Sequence, residues 1–349
     1  MPRFDSGACF AALLGTPDHG RWLIAPRAPV QRVTRRYQGD TLVLETELET
    51  ADGVVALIDC MSLDPQAERV QVVRVVEGRR GRVPMHMELT VRFDYGSIVP
   101  WVTHEDHCWR FVGGPDSLHL YSPIALHGRG LHTVCELEVS EGERVSFLLE
   151  HYPSQLALQP RAASHAADAA LDVTRARWQS WSSRSTYCGE YKEAVQRSLL
   201  VLKALTYSPT GGIIAAPTTS LPEQLGSARN WDYRFCWLRD ATITLYALVL
   251  SGYKDEARAF RAWLIRAVAG SPEQVQVIYG IAGERRLPET SLPWRPGYAN
   301  SSPVPGGNAA HTQLQLDVFG ELLDAMHQCR RQGLEDAASW SLERSTPAR

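Results

Sequence analysis

The hydrophobic pattern of this 349-residue chain changes period once, and that change constrains the fold more than any other feature. Between about residues 31 and 152, apolar residues recur at every second position: Met85, Met87, Leu89, Val91 and Phe93 form one such series, and Leu131, Thr133, Cys135, Leu137 and Val139 another. A period of two belongs to half-buried strands, whose side chains alternate between faces. Asp52-Gly53, Gly113-Gly114-Pro115-Asp116 and Glu141-Gly142 fall between the runs and predict hairpin turns. Many short strands without intervening helices predict an antiparallel β-sandwich over residues 1–155.

Pro153 and Pro160 then interrupt the strands, and the alanine-rich residues 162–181 predict a helical linker within residues 156–187. Beyond it the period becomes 3.6. Val195, Leu199 and Leu202 stripe a first helix, which Ser208-Pro209-Thr210-Gly211-Gly212 ends. Residues 241–250 are apolar nearly all round and predict a helix buried in a helical core, with Gly252 at its carboxyl cap. Phe260, Leu264 and Val268 stripe a third helix, and Leu316, Phe319, Leu323 and Met326 a fourth. The fold class expected is therefore β then α, with helical hairpins over residues 188–333 and an irregular tail at 334–349, where the periodicity dissolves.

Composition excludes several classes of function. Net charge is only −3, and no basic patch is interleaved with aromatics, which argues against a nucleic-acid partner. The seven cysteines are an odd number without a C-x-x-C pair, the pattern of reduced, buried thiols rather than a disulfide framework or a zinc site. His86, His104, His107, His119, His127 and His132 lie on separate strands and loops without ligand spacing, so no metal and no cofactor is expected. No apolar run approaches the roughly 20 residues that span a bilayer, and the start lacks a signal-peptide core, so the expectation is a cytoplasmic chain off the membrane. Oligomeric state is open.

Chemistry concentrates in Arg229-Asn230-Trp231-Asp232-Tyr233-Arg234-Phe235-Cys236-Trp237-Leu238-Arg239-Asp240, directly before the apolar helix. Aromatic rings offer faces on which the C–H surface of a pyranose stacks, and Arg and Asp form strong hydrogen bonds to its hydroxyls. Core anchoring by the rings and a plain surface ion pair would give the same residue types.

This run, continued by Ala241-Thr242-Ile243-Thr244-Leu245, closely resembles the first substrate-binding motif of glycoside hydrolase family 15, which contains glucoamylases, glucodextranases and bacterial trehalases. Ala267-Val268-Ala269-Gly270-Ser271-Pro272, Tyr279-Gly280-Ile281-Ala282-Gly283-Glu284-Arg285, and Gly307-Asn308-Ala309-Ala310-His311 with Gln313-Leu314-Gln315-Leu316-Asp317-Val318-Phe319-Gly320 resemble the bacterial branch in the same order. The amino-terminal Pro2-Arg3-Phe4-Asp5-Ser6 through Gly20-Arg21-Trp22 resembles the trehalase-like β-domain that precedes the catalytic domain there. The resemblance implies an (α/α)6 toroid after the β-domain and inverting exo-hydrolysis of α-glucosidic bonds, in trehalose or at α-glucan ends. It assigns Arg239 and Asp240 to the hydroxyls of the terminal glucose, and Tyr233 and Trp237 to the aromatic wall. Four ordered motifs disfavour a helical-toroid lyase or phosphorylase.

A six-hairpin toroid needs more chain than the roughly 160 residues after Tyr187, so an incomplete toroid is expected. Inversion needs a carboxylic acid and a carboxylate about 6.5–9.5 Å apart. In the family both are glutamates on later hairpins, and no segment here matches either motif. Glu223, Asp232, Glu284 and Glu289 read as surface or supporting charges. Binding of an α-glucoside therefore carries over, while the acid and base are expected beyond residue 349 and this chain is expected to be inactive by itself. The alternative is a non-catalytic fragment that binds carbohydrate or a partner.

Overall fold

A computed structural model describes residues 2–63, 69–105, 107–156 and 163–334, so the expected tail beyond Leu334 lies outside the described residues. The chain divides into two compact units, Met1–Trp181 and Ser182–Arg349.

The first unit is a β-domain. Its strands are β1 (Arg21–Pro26), β2 (Arg32–Tyr37), β3 (Leu44–Glu49), β4 (Gly53–Met61), β5 (Gln71–Thr90), β6 (Trp101–Glu105), β7 (Cys108–Gly113), β8 (Asp116–Tyr121), β9 (His127–Arg129), β10 (His132–Ser140) and β11 (Arg144–Pro153). Every pairing is antiparallel, and the 20-residue β5 organises them. Its first half pairs with β4 and β11, which continue outward through β3 and β2 and through β8, β7 and β6. Its second half pairs with β1 and β10, and β10 carries β9. The change of partners falls at Gly81, whose φ is +68°; a side chain there would place Cβ 2.4 Å from the Asp52 carbonyl oxygen. Only glycine takes that conformation and that approach cheaply.

Two of the predicted turns, at Asp52-Gly53 and Gly113–Asp116, close hairpins β3–β4 and β7–β8. The third does not. Glu141-Gly142 joins β10 to β11, but β10 pairs with Arg82–Leu89 and β11 with Gln71–Glu77 of the same long strand, so the turn passes from one half of the sheet to the other. Val55, Leu57, Phe111 and Phe147 from one half meet Met85, Met87, Cys135 and Val139 from the other in a single buried cluster, as the alternation implies. Leu131, predicted to join that series, is exposed.

The opposite face of the larger half is also covered. Helix α1 (Ala163–Ser182) lays Ala167, Ala170 and Leu171 against Ile58, Val73, Val75 and Leu148. The alanine-rich segment thus packs on the sheet instead of standing free as a linker, and its small side chains let the helix approach closely. Six of the cysteines are buried and Cys188 is exposed, all as free thiols.

The second unit is helical: α2 (Lys192–Ala204), α3 (Leu238–Leu250), α4 (Lys254–Ala267) and α5 (Asp317–Arg331), with α3 in contact with each of the others. Phe260, Leu264 and Val268 are buried as predicted, alongside Trp263, which stacks on Phe260 at 5.6 Å and meets Tyr279 edge-on at 6.2 Å. Two expectations need correction. Helix α3 is not buried all round, because Ile243 and Leu250 are 64% and 74% exposed on one side. In α5 Met326 is buried as predicted and Phe319 is half-buried, but the buried stripe is Val318, Leu322, Ala325, Met326 and Cys329, and Leu316 and Leu323 are exposed. Both helices carry apolar residues over more than one face, and the period alone does not say which face a neighbour takes. No helix among the described residues is long and apolar enough to cross a membrane.

Candidate functional site

The aromatic, charged run forms one arm of an irregular hairpin. Ala215 and Ala216 donate to the carbonyls of Phe235 and Tyr233, Tyr233 donates to Thr218, and Ser220 donates to Trp231, at 3.0–3.2 Å. The arm ends in strand β12 (Cys236–Trp237), which pairs with β13 (Ile278–Tyr279), and Leu238 then starts α3. An extended backbone alternates its side chains. Asp232, Arg234 and Cys236 are buried, while Trp231 is exposed and Tyr233 and Trp237 are half-buried; Phe235 breaks the alternation and is buried too.

Asp232 is the clasp that sets this arm. Its Oδ1 accepts from Arg234 Nε at 2.8 Å, and its Oδ2 accepts from Arg234 Nη2 at 2.7 Å and from the Gly307 backbone N–H at 3.1 Å. Its carbonyl accepts from Asn308 Nδ2 at 3.0 Å, and Asn308 Oδ1 caps the following turn at Ala310 N–H. Gly307 is required there: φ is +85°, and a Cβ would meet the Pro288 carbonyl oxygen at 2.0 Å. Arg285 donates to the carbonyls of Ala267 and Ala269 at 3.0 and 2.6 Å. The four separate sequence motifs are thereby tied into one site around residues 232–239.

Of the predicted binding residues, Arg239 and Asp240 stand exposed in the first turn of α3. They do not pair with each other. Arg239 Nη1 donates to Asp317 Oδ2 at the start of α5, at 3.0 Å, and the guanidinium lies over the Trp237 ring at 5.7 Å. Among the described residues the Asp240 carboxylate has no hydrogen bond or ion pair, while its neighbour Arg239 is anchored across the helices. At the amino end of α3 the helix dipole favours its negative charge. Burial, reinforced by the carboxylates of Glu223 and Asp240, pushes the Tyr233 phenol above its ordinary range, so Tyr233 meets a ligand as a neutral hydroxyl. The Trp237 indole N–H is buried without an acceptor among the described residues. Such a donor carries a desolvation cost of about 1–3 kcal/mol until something accepts from it.

The other carboxylates have structural work. Glu223 accepts from Trp231 Nε1 at 3.1 Å, Glu284 from the Ala282 N–H at 2.9 Å, and Glu289 from the Ala309 N–H at 3.2 Å. Sequence reasoning did not single out Asp317 as the partner of Arg239. An acid in the first turn of an apolar-striped helix was the available signal, but that position is equally explained by the helix dipole.

Comparison with known proteins gives two family matches: residues 189–343 fit the model of glycosyl hydrolases family 15, and residues 1–150 that of the trehalase-like amino-terminal domain. Trehalase of Mycolicibacterium smegmatis is 32% identical over 371 residues, covering 97% of this chain and 54% of the relative. Trehalase of Thermoplasma volcanium is 30% identical, covering 95% and 53%. Trehalase 1 of Sulfolobus acidocaldarius is 32% identical, covering 94% and 55%. The chain spans about half the length of these curated relatives. A bacterial glucoamylase solved with acarbose shares the fold, with a TM-score of 0.59 at 10% identity over 95% of this chain and 57% of that one.

Proposed function

The second unit belongs to glycosyl hydrolase family 15 and the first is a trehalase-like amino-terminal domain; from this we propose that the protein recognises the terminal glucosyl unit of an α-glucoside, trehalose foremost, at Tyr233, Trp237, Arg239 and Asp240. The observation that carries the reading is the unpaired group at each end of the site: a free Asp240 carboxylate able to accept two hydroxyl bonds, and the Trp237 indole N–H without an acceptor. Arg239, anchored by Asp317 over the Trp237 face, supplies donors for neighbouring hydroxyls, and Tyr233 adds a neutral one. That relatives over nearly the whole chain bear the name trehalase supports trehalose as the glucoside.

The proposed parent reaction is inverting hydrolysis, with binding separated from chemistry in this chain. Glu223, Asp232, Glu284, Glu289 and Asp317 are all engaged in protein contacts, and among these site carboxylates of the described residues Asp240 is the one without a partner. Helices α2 to α5 are in this reading the opening helices of an (α/α)6 toroid, whose further members would cover Ile243, Leu250 and Leu316.

Titration calorimetry with trehalose, on the full chain and on Asp240→Asn, tests the proposal. Loss of a charged hydrogen-bond partner weakens binding by about 1.5–3 kcal/mol, at least about tenfold, with stability in urea lowered by no more than about 1 kcal/mol. Equal affinity in the two proteins would refute the site. Glucose release from trehalose by the chain alone would refute the separation of binding from chemistry.

A further inference from the structure

Arg295 is a buried cation without a counter-ion among the described residues. It is 4% exposed, and its Nε, Nη1 and Nη2 are all sealed from solvent with no acceptor there. An arginine ordinarily buries its methylene stem and keeps its head in water. Here the head itself is inside. Burial alone lowers its pKa, with no charged side chain acting on it. Arg234, buried in the same unit, instead holds Asp232 through Nε and Nη2.

The surrounding chain keeps this side chain from swinging out. Pro296 follows Arg295 and restricts its backbone. The loop is closed by the Leu292 N–H, which donates to the Val304 carbonyl at 2.8 Å, and the Arg295 N–H donates to the Leu292 carbonyl at 3.1 Å. Asn230 Nδ2 donates to the carbonyls of Ser301 and Pro303 at 3.2 and 2.9 Å, and the Gly226 N–H donates to Ser301 Oγ at 2.8 Å. The loop is thus pinned to the arm that carries the candidate sugar site, and it runs on into Gly307 and Asn308, which hold Asp232.

A buried charge left unpaired is among the most costly groups a fold can contain. Water can accept from the guanidinium but cannot neutralise it, whereas an anion does both. A single positive charge with no second cation acting on it balances a monoanion better than a phosphate dianion. The planar fork of N–H donors matches the two oxygens of a carboxylate. Because the head is sealed, only a small ion reaches it through a local opening of the loop. We propose that Arg295 is the binding site of a small monocarboxylate ion, of the size of formate or acetate, which braces the loop of residues 292–304. Binding there needs no sugar at residues 233–240.

The test is thermal unfolding of the full chain at neutral pH, followed by far-ultraviolet circular dichroism, with sodium formate or acetate replacing sodium chloride at constant ionic strength. Wild type is compared with Arg295→Met, which keeps an unbranched apolar stem, and Arg295→Lys, which keeps a charge without the fork. The wild-type Tm should rise with carboxylate concentration and saturate, as a ligand of the native state requires. The rise should be absent in Arg295→Met, and Arg295→Lys should need at least about tenfold more carboxylate for the same shift. In chloride alone Arg295→Met should melt at or above wild type, because it removes an unpaired buried charge. A flat wild-type Tm, or an equal rise in wild type and Arg295→Met, overturns the proposal. Phosphate shifting the wild-type Tm as far as formate would overturn the assignment to a monocarboxylate. Arg295→Met melting well below wild type in chloride would show that the guanidinium is already satisfied within the protein, and overturns it as well.

Discussion

His119 should make the β-domain acid-labile within a defined pH window. Its ring lies fully buried on β8, stacked on Tyr152 at 4.1 Å, with Nε2 near Ser117 Oγ at 3.3 Å and Nδ1 without a partner. Burial, followed by the positive charges of Arg110 and Arg69 and by His151, lowers its pKa from 6.5 to about 4. A folded-state pKa below the unfolded one means that the unfolded chain takes the proton first. Stability is then complete above pH 6.5, falls as pH drops toward 4, and levels off below that. At about 1.4 kcal/mol for each factor of ten, the full displacement corresponds to a loss of about 3 kcal/mol, a sizeable part of a domain's usual about 5–15 kcal/mol. His119→Phe keeps the stack on Tyr152 and removes the proton site. Urea unfolding at a series of pH values from 7.5 to 4, followed by a probe in the β-domain, should give a steeper acid loss for wild type than for the variant. Parallel curves would show that the buried ring is not the group that titrates.

Two further changes separate structure from binding in the helical unit. Asp232→Ala strands the buried Arg234 guanidinium and cuts the tie to Gly307, and should cost about 3–5 kcal/mol in urea unfolding; a loss below about 1 kcal/mol would mean that the clasp is not structural. Asp317→Asn removes a half-exposed ion pair and should leave stability within about 1 kcal/mol, yet weaken trehalose binding several-fold because Arg239 loses its anchor. Lost stability with unchanged affinity would reverse that assignment.

How far the sequence could be read depended on whether a residue's role was local. The strands around Met85 and Met87 and the buried stripe of α4 follow from periodicity, because each residue's face is fixed by its own backbone. The turn at Glu141-Gly142 and the position of α1 do not, since both depend on which distant strand lies alongside; the halves of β5 take different partners on either side of an exposed stretch at residues 79–82. The site divides in the same way. Tyr233, Trp237, Arg239 and Asp240, the proposed binding residues, come from one contiguous run, but the Arg239–Asp317 pair joins residues 78 positions apart, and Asp232 shows its structural role only once Gly307 and Asn308 are beside it.

The distinction between Asp232 and Asp240 shows how one run can hold both the frame and the site. Both are aspartates within two residues of an arginine, eight residues apart, and either could be proposed as the sugar ligand. Asp232 spends its oxygens on Arg234 and Gly307 and is sealed from solvent, so a sugar could bind it only by breaking the clasp. Asp240 has a competing explanation, since an acid in the first turn of a helix stabilises it by about 0.3–1 kcal/mol without any ligand. That explanation accounts for the carboxylate alone. It does not account for Arg239 reaching across to Asp317 rather than to its neighbour, or for the guanidinium lying over Trp237, or for the buried indole N–H left without an acceptor. A bound sugar ring would resolve all three at once, stacking at the aromatic wall while its hydroxyls bridge the indole, the guanidinium and the free carboxylate.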